Sequence, residues 1–206
     1  MIATGPEIRR GIQGALAILR REPAAMATFD LSFEGFLRSF TAALLAFPAY
    51  LVLVLRGLLD EPPPLAFPLL VLIETAGYLV GWLAFPLAAA LVLRAIGETR
   101  RFVPLVVANN WAALLQIHFL LAVVLLAAAL PEPTGAALAT GATLAALAYQ
   151  WLVVKTALEA PGRIAVGFVL LDVVLSILVN AGTDRILAWL AEPILLEPAA
   201  PGQPGG

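Results

Sequence analysis

Three ionisable side chains stand inside long apolar runs of this chain: Glu74, His118 and Asp172. A charge at the centre of a bilayer costs about 2.5 kcal/mol or more on insertion scales, so each needs a partner, a neutral form or water. The default chemistry of such groups is the movement of a proton or cation. Asp172, Ser176 and Asn180 are spaced by four, and Thr183 follows, so they form one stripe on a helix. Glu74, Gly77, Tyr78 and Gly81 share a face by the same three-and-four rule. Gly77 and Gly81 also make a small-xxx-small pair that lets a second backbone come close, which is a packing role. By depth, Glu74 and Asn180 meet if their two helices are neighbours, and His118 is placed near the midplane to hydrogen-bond Asp172. Asn109, Asn110 and Gln116 are further polar groups there, although Gln116 and His118 point about 200° apart. The plainer account of all these residues is hydrogen bonding that fixes helix order, at an average of about 0.6 kcal/mol per interhelical bond.

Much chemistry is excluded. Without cysteine there is no disulfide, thiolate nucleophile, iron–sulfur cluster or cysteine zinc site. One histidine leaves little for acid–base work, and neither a His-Glu-x-x-His helix, a Gly-x-x-x-x-Gly-Lys loop nor a Gly-x-Ser-x-Gly elbow is present. The expectation is a protein that is not an enzyme and needs no cofactor or metal. A formal net charge of −2 sets up no basic field for nucleic acid. Membrane lipids, other membrane proteins or a second copy of the chain are the expected partners.

The elements that must position these groups are helices crossing a membrane. Of 206 residues 62% are hydrophobic and 13% charged, far from soluble usage, and the apolar residues come in runs of the roughly 20 needed to cross about 30 Å of hydrocarbon. The fold class expected is all-α, polytopic, with five transmembrane helices at about 36–58, 65–94, 103–130, 136–156 and 164–187. Asp30 or Ser32 offers a cap before the first span, and Pro48 a bend within it. Asp60-Glu61-Pro62-Pro63-Pro64 makes the turn into the second span, whose length predicts tilt or a kink at Pro68 or Pro86. Residues 1–35 form a cytoplasmic segment in which Ile8, Ile12, Leu16 and Leu19 alternate with arginines, predicting an interfacial amphipathic helix over 6–22. A helix packed on the bundle is the alternative. Residues 191–206 form an external tail, disordered over Pro198–Gly206 by composition. Trp82, Trp111, Trp151 and Trp189 suit interfacial anchoring. Gly14–Leu19 is too short an apolar stretch, and is followed by the wrong residues, for a cleaved export signal.

Basic residues set the orientation, because Lys and Arg in short loops stay in the cytoplasm. With the amino terminus inside, that side holds Arg9, Arg10, Arg20, Arg21, Arg38, Arg94, Arg100, Arg101, Lys155 and Arg163, leaving Arg56 and Arg185 outside. The expected topology is therefore N-in and C-out. Arginine's excess over lysine, with abundant Ala, Gly and Pro, hints at a GC-rich bacterial genome, and hence at the bacterial inner membrane.

The long second span followed by Leu93-Arg94-Ala95-Ile96-Gly97 and Arg101-Phe102-Val103-Pro104 resembles bacterial proteins of the Yip1-like five-helix membrane family. The segment Phe29-Asp30-Leu31-Ser32-Phe33-Glu34-Gly35-Phe36-Leu37-Arg38-Ser39-Phe40 looks like a feature of uncharacterised proteobacterial membrane proteins, some carrying a generic transporter label. The resemblance spans about residues 30–190 and implies a five-helix bundle. The acidic signature before the first span of eukaryotic members is not evident, so no trafficking role is carried over. Two functions from different classes remain: a transporter or transporter subunit using Glu74, Tyr78, His118, Asp172, Ser176 and Asn180, or a non-transporting organiser that binds membrane proteins or lipids through the Gly77/Gly81 face and the basic amino-terminal helix.

Overall fold

The computed structural model describes residues 2–60 and 65–196; Glu61–Pro64 of the expected turn and the Pro198–Gly206 tail lie outside them. Among the described residues every regular element is helical: α1 (Gly5–Leu19), α2 (Phe33–Ser39), α3 (Thr41–Asp60), α4 (Phe67–Ala95), α5 (Phe102–Ala127), α6 (Glu132–Leu158) and α7 (Gly162–Leu196), with 3-10 turns at Ala25–Thr28 and Thr99–Arg101. Five stretches are long and apolar enough to cross a membrane, namely Phe33–Leu58, Phe67–Ala95, Thr99–Ala127, Glu132–Leu158 and Gly162–Glu192. The chain is therefore built as a multi-pass membrane protein.

Local chemistry sets the ends. Ser32 caps α2, its hydroxyl accepting from the Gly35 N–H at 3.0 Å, and Asp30 accepts from the Ser32 N–H at 3.0 Å. The first span is then interrupted at Phe40, where α2 gives way to α3, a break that hydropathy does not signal. Pro68 stands in the first turn of α4, where a missing N–H leaves no bond unmade, so it starts that helix instead of kinking it; Pro86 lies inside. Gly97 leaves α4 at φ +77°, a left-handed conformation that glycine adopts without strain. The last span runs on to Leu196, nine residues beyond its expected end at Leu187. At about 1.5 Å per residue its 35 residues make about 52 Å, more than a bilayer core, so the end of α7 projects past it.

Around the bundle the spans follow the order α3, α5, α6, α7, α4, and α4 returns to α3 through Tyr50 and Tyr78, whose rings lie 4.6 Å apart. Packing is uneven along the axis. Ala42, Phe85, Leu93, Leu105, Val106, Val107, Val153, Val154, Ala165 and Phe168 are all buried, and all lie toward the end where α3 begins and α4 ends. Toward the opposite end few residues of α6 and α7 are buried. The bundle is closed at one end and splayed at the other.

α1 reinforces the closed end. It opens with a capping box in which the Thr4 N–H donates to Glu7 at 2.7 Å, and it lays its small residues on α5 and α6. A methyl at Gly11 would overlap the Trp111 ring, and one at Gly14 would stand 2.6 Å from Phe29. The Tyr149 hydroxyl donates to the Ala15 carbonyl at 2.8 Å, and the Ala3 N–H donates to the Thr41 hydroxyl at 2.8 Å. The packing expected only as the alternative for this segment is thus present, because Gly11, Gly14, Ala15 and Ile18 leave that face flat enough to bury on protein. Trp111 is buried under it, not anchored at an interface, whereas Trp189 is exposed.

Candidate functional site

The splayed half of the bundle encloses a cavity of about 510 Å³ that all five spans line. From α3 it takes Tyr50 and Leu53; from α4 the run of Glu74, Gly77, Tyr78, Gly81, Trp82, Phe85 and Pro86; from α5 Asn109, Asn110, Ala113, Gln116, Ile117 and Leu120. α6 gives Gln150, and α7 gives Asp172, Ser176, Val179, Asn180, Thr183 and Asp184. Leu105, Val154 and Phe168, each one helical turn from the lining residues Asn109, Gln150 and Asp172, belong with Leu93 and the lining Phe85 to one buried apolar cluster under its floor. Along α7 the lining passes from half-buried Asp172 to exposed Asn180 and Asp184, so the mouth faces the end where α7 leaves the bundle. Glu74, Asp172 and Asp184 are acidic, and no described lining residue is basic.

One wall is aromatic. The Tyr50 hydroxyl donates to Glu74 Oε2 at 2.7 Å and lies 3.2 Å from the Glu74 carbonyl oxygen. Tyr78 donates to the Ala43 carbonyl at 2.5 Å, which fixes its ring between Tyr50 and Trp82, 6.0 Å away. Glu74, Tyr78 and Trp82 recur at four-residue spacing, so one face of α4 supplies the carboxylate and two of the rings.

The opposite wall is a chain of amides. Gln116 Nε2 donates to Gln150 Oε1 at 2.9 Å, and Gln150 Nε2 donates to Asn109 Oδ1 at 2.6 Å while lying 3.4 Å from Asp172 Oδ2. Gln150 therefore ties α5, α6 and α7 together. Deeper still, Asn110 Nδ2 donates to Ser39 Oγ at 2.9 Å, and each residue is only 1% exposed. Ser39 is the last residue of α2, so this bond joins the cavity floor to the break in the first span. On the far side of it Ser39 borders a much smaller pocket, about 20 Å³, lined also by Glu7, Asp30 and Arg38. There the Arg38 guanidinium reaches three carboxylates, Glu7 at 3.0 Å, Asp30 at 3.1 Å and Glu34 at 3.3 Å.

Of the residues singled out from the sequence, Glu74, Tyr78, Asp172, Ser176 and Asn180 all meet at this cavity, and α4 and α7 are neighbours. His118 does not join them. It is exposed on the outer side of α5, and its Nδ1 lies 2.8 Å from the Leu114 carbonyl oxygen of its own helix, so no bond to Asp172 forms. Gly77 is a contact point, since a methyl there would collide with the Thr183 hydroxyl of α7. Gly81 is not. Nothing lies within 4 Å of its Cβ position, because it borders the cavity and leaves it room. α7 is a wall of the bundle, with Val174, Ile177 and Leu178 exposed on the side away from the cavity.

Three residues escaped sequence reasoning. Gln150 is an amide in mid-span, the same kind of signal as Asn109, Asn110 and Gln116, but on a span with no ionisable group at its depth. Tyr50 needed the α3–α4 pairing to be recognised as the partner of Glu74. Asp184 follows the stripe by one residue beyond Thr183, inside the expected span but near its outer end, where a charge passes as interfacial. Comparison of the chain with protein-family models, with curated proteins and with solved structures finds no match in any of the three, so the chemistry of this cavity stands on its own residues.

Proposed function

We propose that the chain is a small transport protein, or the subunit of one, that admits a cation or protonated solute to the Glu74–Asp172 cavity. One observation carries this reading: both carboxylates open into a single cavity lined by every span, with no basic side chain among the described lining residues to neutralise them. In hydrocarbon such groups require water, a proton or a cation. The cavity has room for on the order of ten waters or a small solute. The closed end, with the Ser39–Asn110 bond and the apolar layer under the cavity floor, acts as the barrier that alternating access or a gate has to open.

The topology that goes with this is amino terminus in the cytoplasm and cavity mouth outside, in a bacterial inner membrane. It is supported by Arg9, Arg10, Arg20 and Arg21, exposed on α1 and the turn after it, at the end of the bundle that also carries Arg94, Arg100, Arg101, Lys155 and Arg163. Those exposed arginines suit contact with anionic headgroups even with the opposite face of α1 on protein. The organiser alternative has less support, since Gly77 is already occupied by Thr183 of the same chain. Reconstitution into liposomes containing a pH-sensitive dye tests the proposal. Flux driven by a solute or proton gradient, and its loss in Asp172→Asn, is the expected result. No flux under any gradient, with Asp172→Asn equal to wild type, refutes it.

A further inference from the structure

We infer that the ligand of this cavity is a small organic cation, an ammonium group with carbon substituents. The inference rests on the reading of the cavity as a solute site. Charge gives the first constraint. Among the described residues the Glu74 carboxylate accepts from a neutral tyrosine, Asp172 has a long contact to a neutral amide, and neither has a Lys or Arg at ion-pair distance. An anion would meet two uncompensated carboxylates and is disfavoured; a cation supplies what both lack.

Size and surface give the second. A cavity of about 510 Å³ lies in the range of small-molecule sites, far above what a bare ion fills. No group of three or more acidic or histidine side chains among the described residues is arranged to hold a metal ion. The rings beside Glu74 decide between organic and inorganic cations. Tyr50, Tyr78 and Trp82 form a contiguous surface next to a carboxylate, the pairing that recognises alkylated ammonium groups through the negative faces of the rings. Gly77 and Gly81 stand on the same helix face, where a larger side chain at Gly81 would take up ligand space. The amide wall with Ser176 and Asn180 offers donors and acceptors to a polar group at the ligand's other end.

The test is calorimetric titration of the full chain in lipid nanodiscs with choline and with 3,3-dimethylbutan-1-ol, which has the same shape with carbon in place of nitrogen and no charge. Choline is expected to bind saturably and the neutral alcohol at least about tenfold more weakly. Glu74→Gln is expected to weaken choline about tenfold, and Trp82→Leu about threefold to tenfold, the span of a partly desolvated cation–π contact. Equal binding of alcohol and choline by the wild type overturns the inference without recourse to any variant. So does the absence of choline binding in a preparation that still carries proton flux in liposomes, in which case the transport reading survives. Saturable, charge-selective choline binding without any flux supports the inference and sinks the transport reading instead.

Discussion

Replacing Gln150 by leucine separates a water-filled cavity from a sealed one. The side chain makes two well-formed bonds, 2.9 Å from Gln116 and 2.6 Å to Asn109, and one long contact of 3.4 Å to Asp172. At about 0.6 kcal/mol for an average interhelical bond, two bonds amount to about 1.2 kcal/mol, partly offset by the apolar surface of leucine. Asn109 and Gln116 then lose their partner. Both line the cavity, so water replaces it, and the expected loss for Gln150→Leu is about 1 kcal/mol. In a dry interior the two orphaned amides would each add about 1–3 kcal/mol, giving a loss of about 3 kcal/mol or more. Reversible unfolding by SDS in mixed micelles, followed by tryptophan fluorescence, measures the difference. A double-mutant cycle with Asn109→Ala should return a coupling near 0.6 kcal/mol. A loss above about 3 kcal/mol refutes the claim that water reaches this wall.

The two glycines of α4 should behave oppositely in the same unfolding assay. Gly77→Val, which drives a side chain into Thr183, is expected to cost about 1–3 kcal/mol, whereas Gly81→Ala, with open space before it, should be neutral or stabilising by up to about 1 kcal/mol. Equal effects would contradict the α4–α7 contact. The docking of α1 should depend on acid. The Thr4 backbone N–H, then its hydroxyl, and more weakly Arg38 hold Glu7 below the usual carboxylate range, and hydrogen bonds from Ser32, followed by Arg38, do the same for Asp30. A carboxylate whose folded pKa is depressed contributes stability that is present above its unfolded value near 4 and is lost as the pH falls through the folded value. Hydrogen exchange, corrected for the intrinsic rate, should therefore show protection of α1 unchanged between pH 7 and 5 and falling below about pH 4, ahead of α5. Constant protection through that range would remove these carboxylates from the docking.

What was legible in the sequence was whatever depends on period and run length. The five spans follow from apolar runs, and the Asp172–Ser176–Asn180 stripe follows from four-residue spacing; both require only helix geometry. Partnerships between helices were not legible, because depth along a helix says nothing about rotation around it. His118 and Asp172 were matched by depth, yet His118 faces away, and the partner Asp172 does approach, Gln150, sits on α6. Tyr50 and Glu74 were separated in the same way, by the absence of any rule pairing α3 with α4. The break at Phe40 was hidden because Ser39 and Thr41 are small: the Ser39 hydroxyl donates to the Phe36 carbonyl of its own helix, and the donors that accompany the break, Asn110 and Ala3, are distant in sequence. α1 shows the converse. Its arginines signal a membrane surface, while its glycines, whose packing meaning depends on Trp111 and Phe29, carry the contact that the fold uses.

The central claim is that an acidic, aqueous cavity opens at the end where α7 leaves the bundle, and thiol labelling tests it most directly. The chain has no cysteine, so Ser176→Cys and Asn180→Cys can be read against a silent background, with Leu178→Cys on the outer face of α7 as the control. Both cavity positions should react with a membrane-impermeant trimethylammonium thiosulfonate applied to the face bearing the carboxyl-terminal end of α7. They should react about tenfold or more faster with it than with the sulfonate reagent of similar size, relative to a free thiol, because the carboxylates concentrate cations there. Labelling no faster than at Leu178→Cys, or access only from the opposite face, contradicts the account.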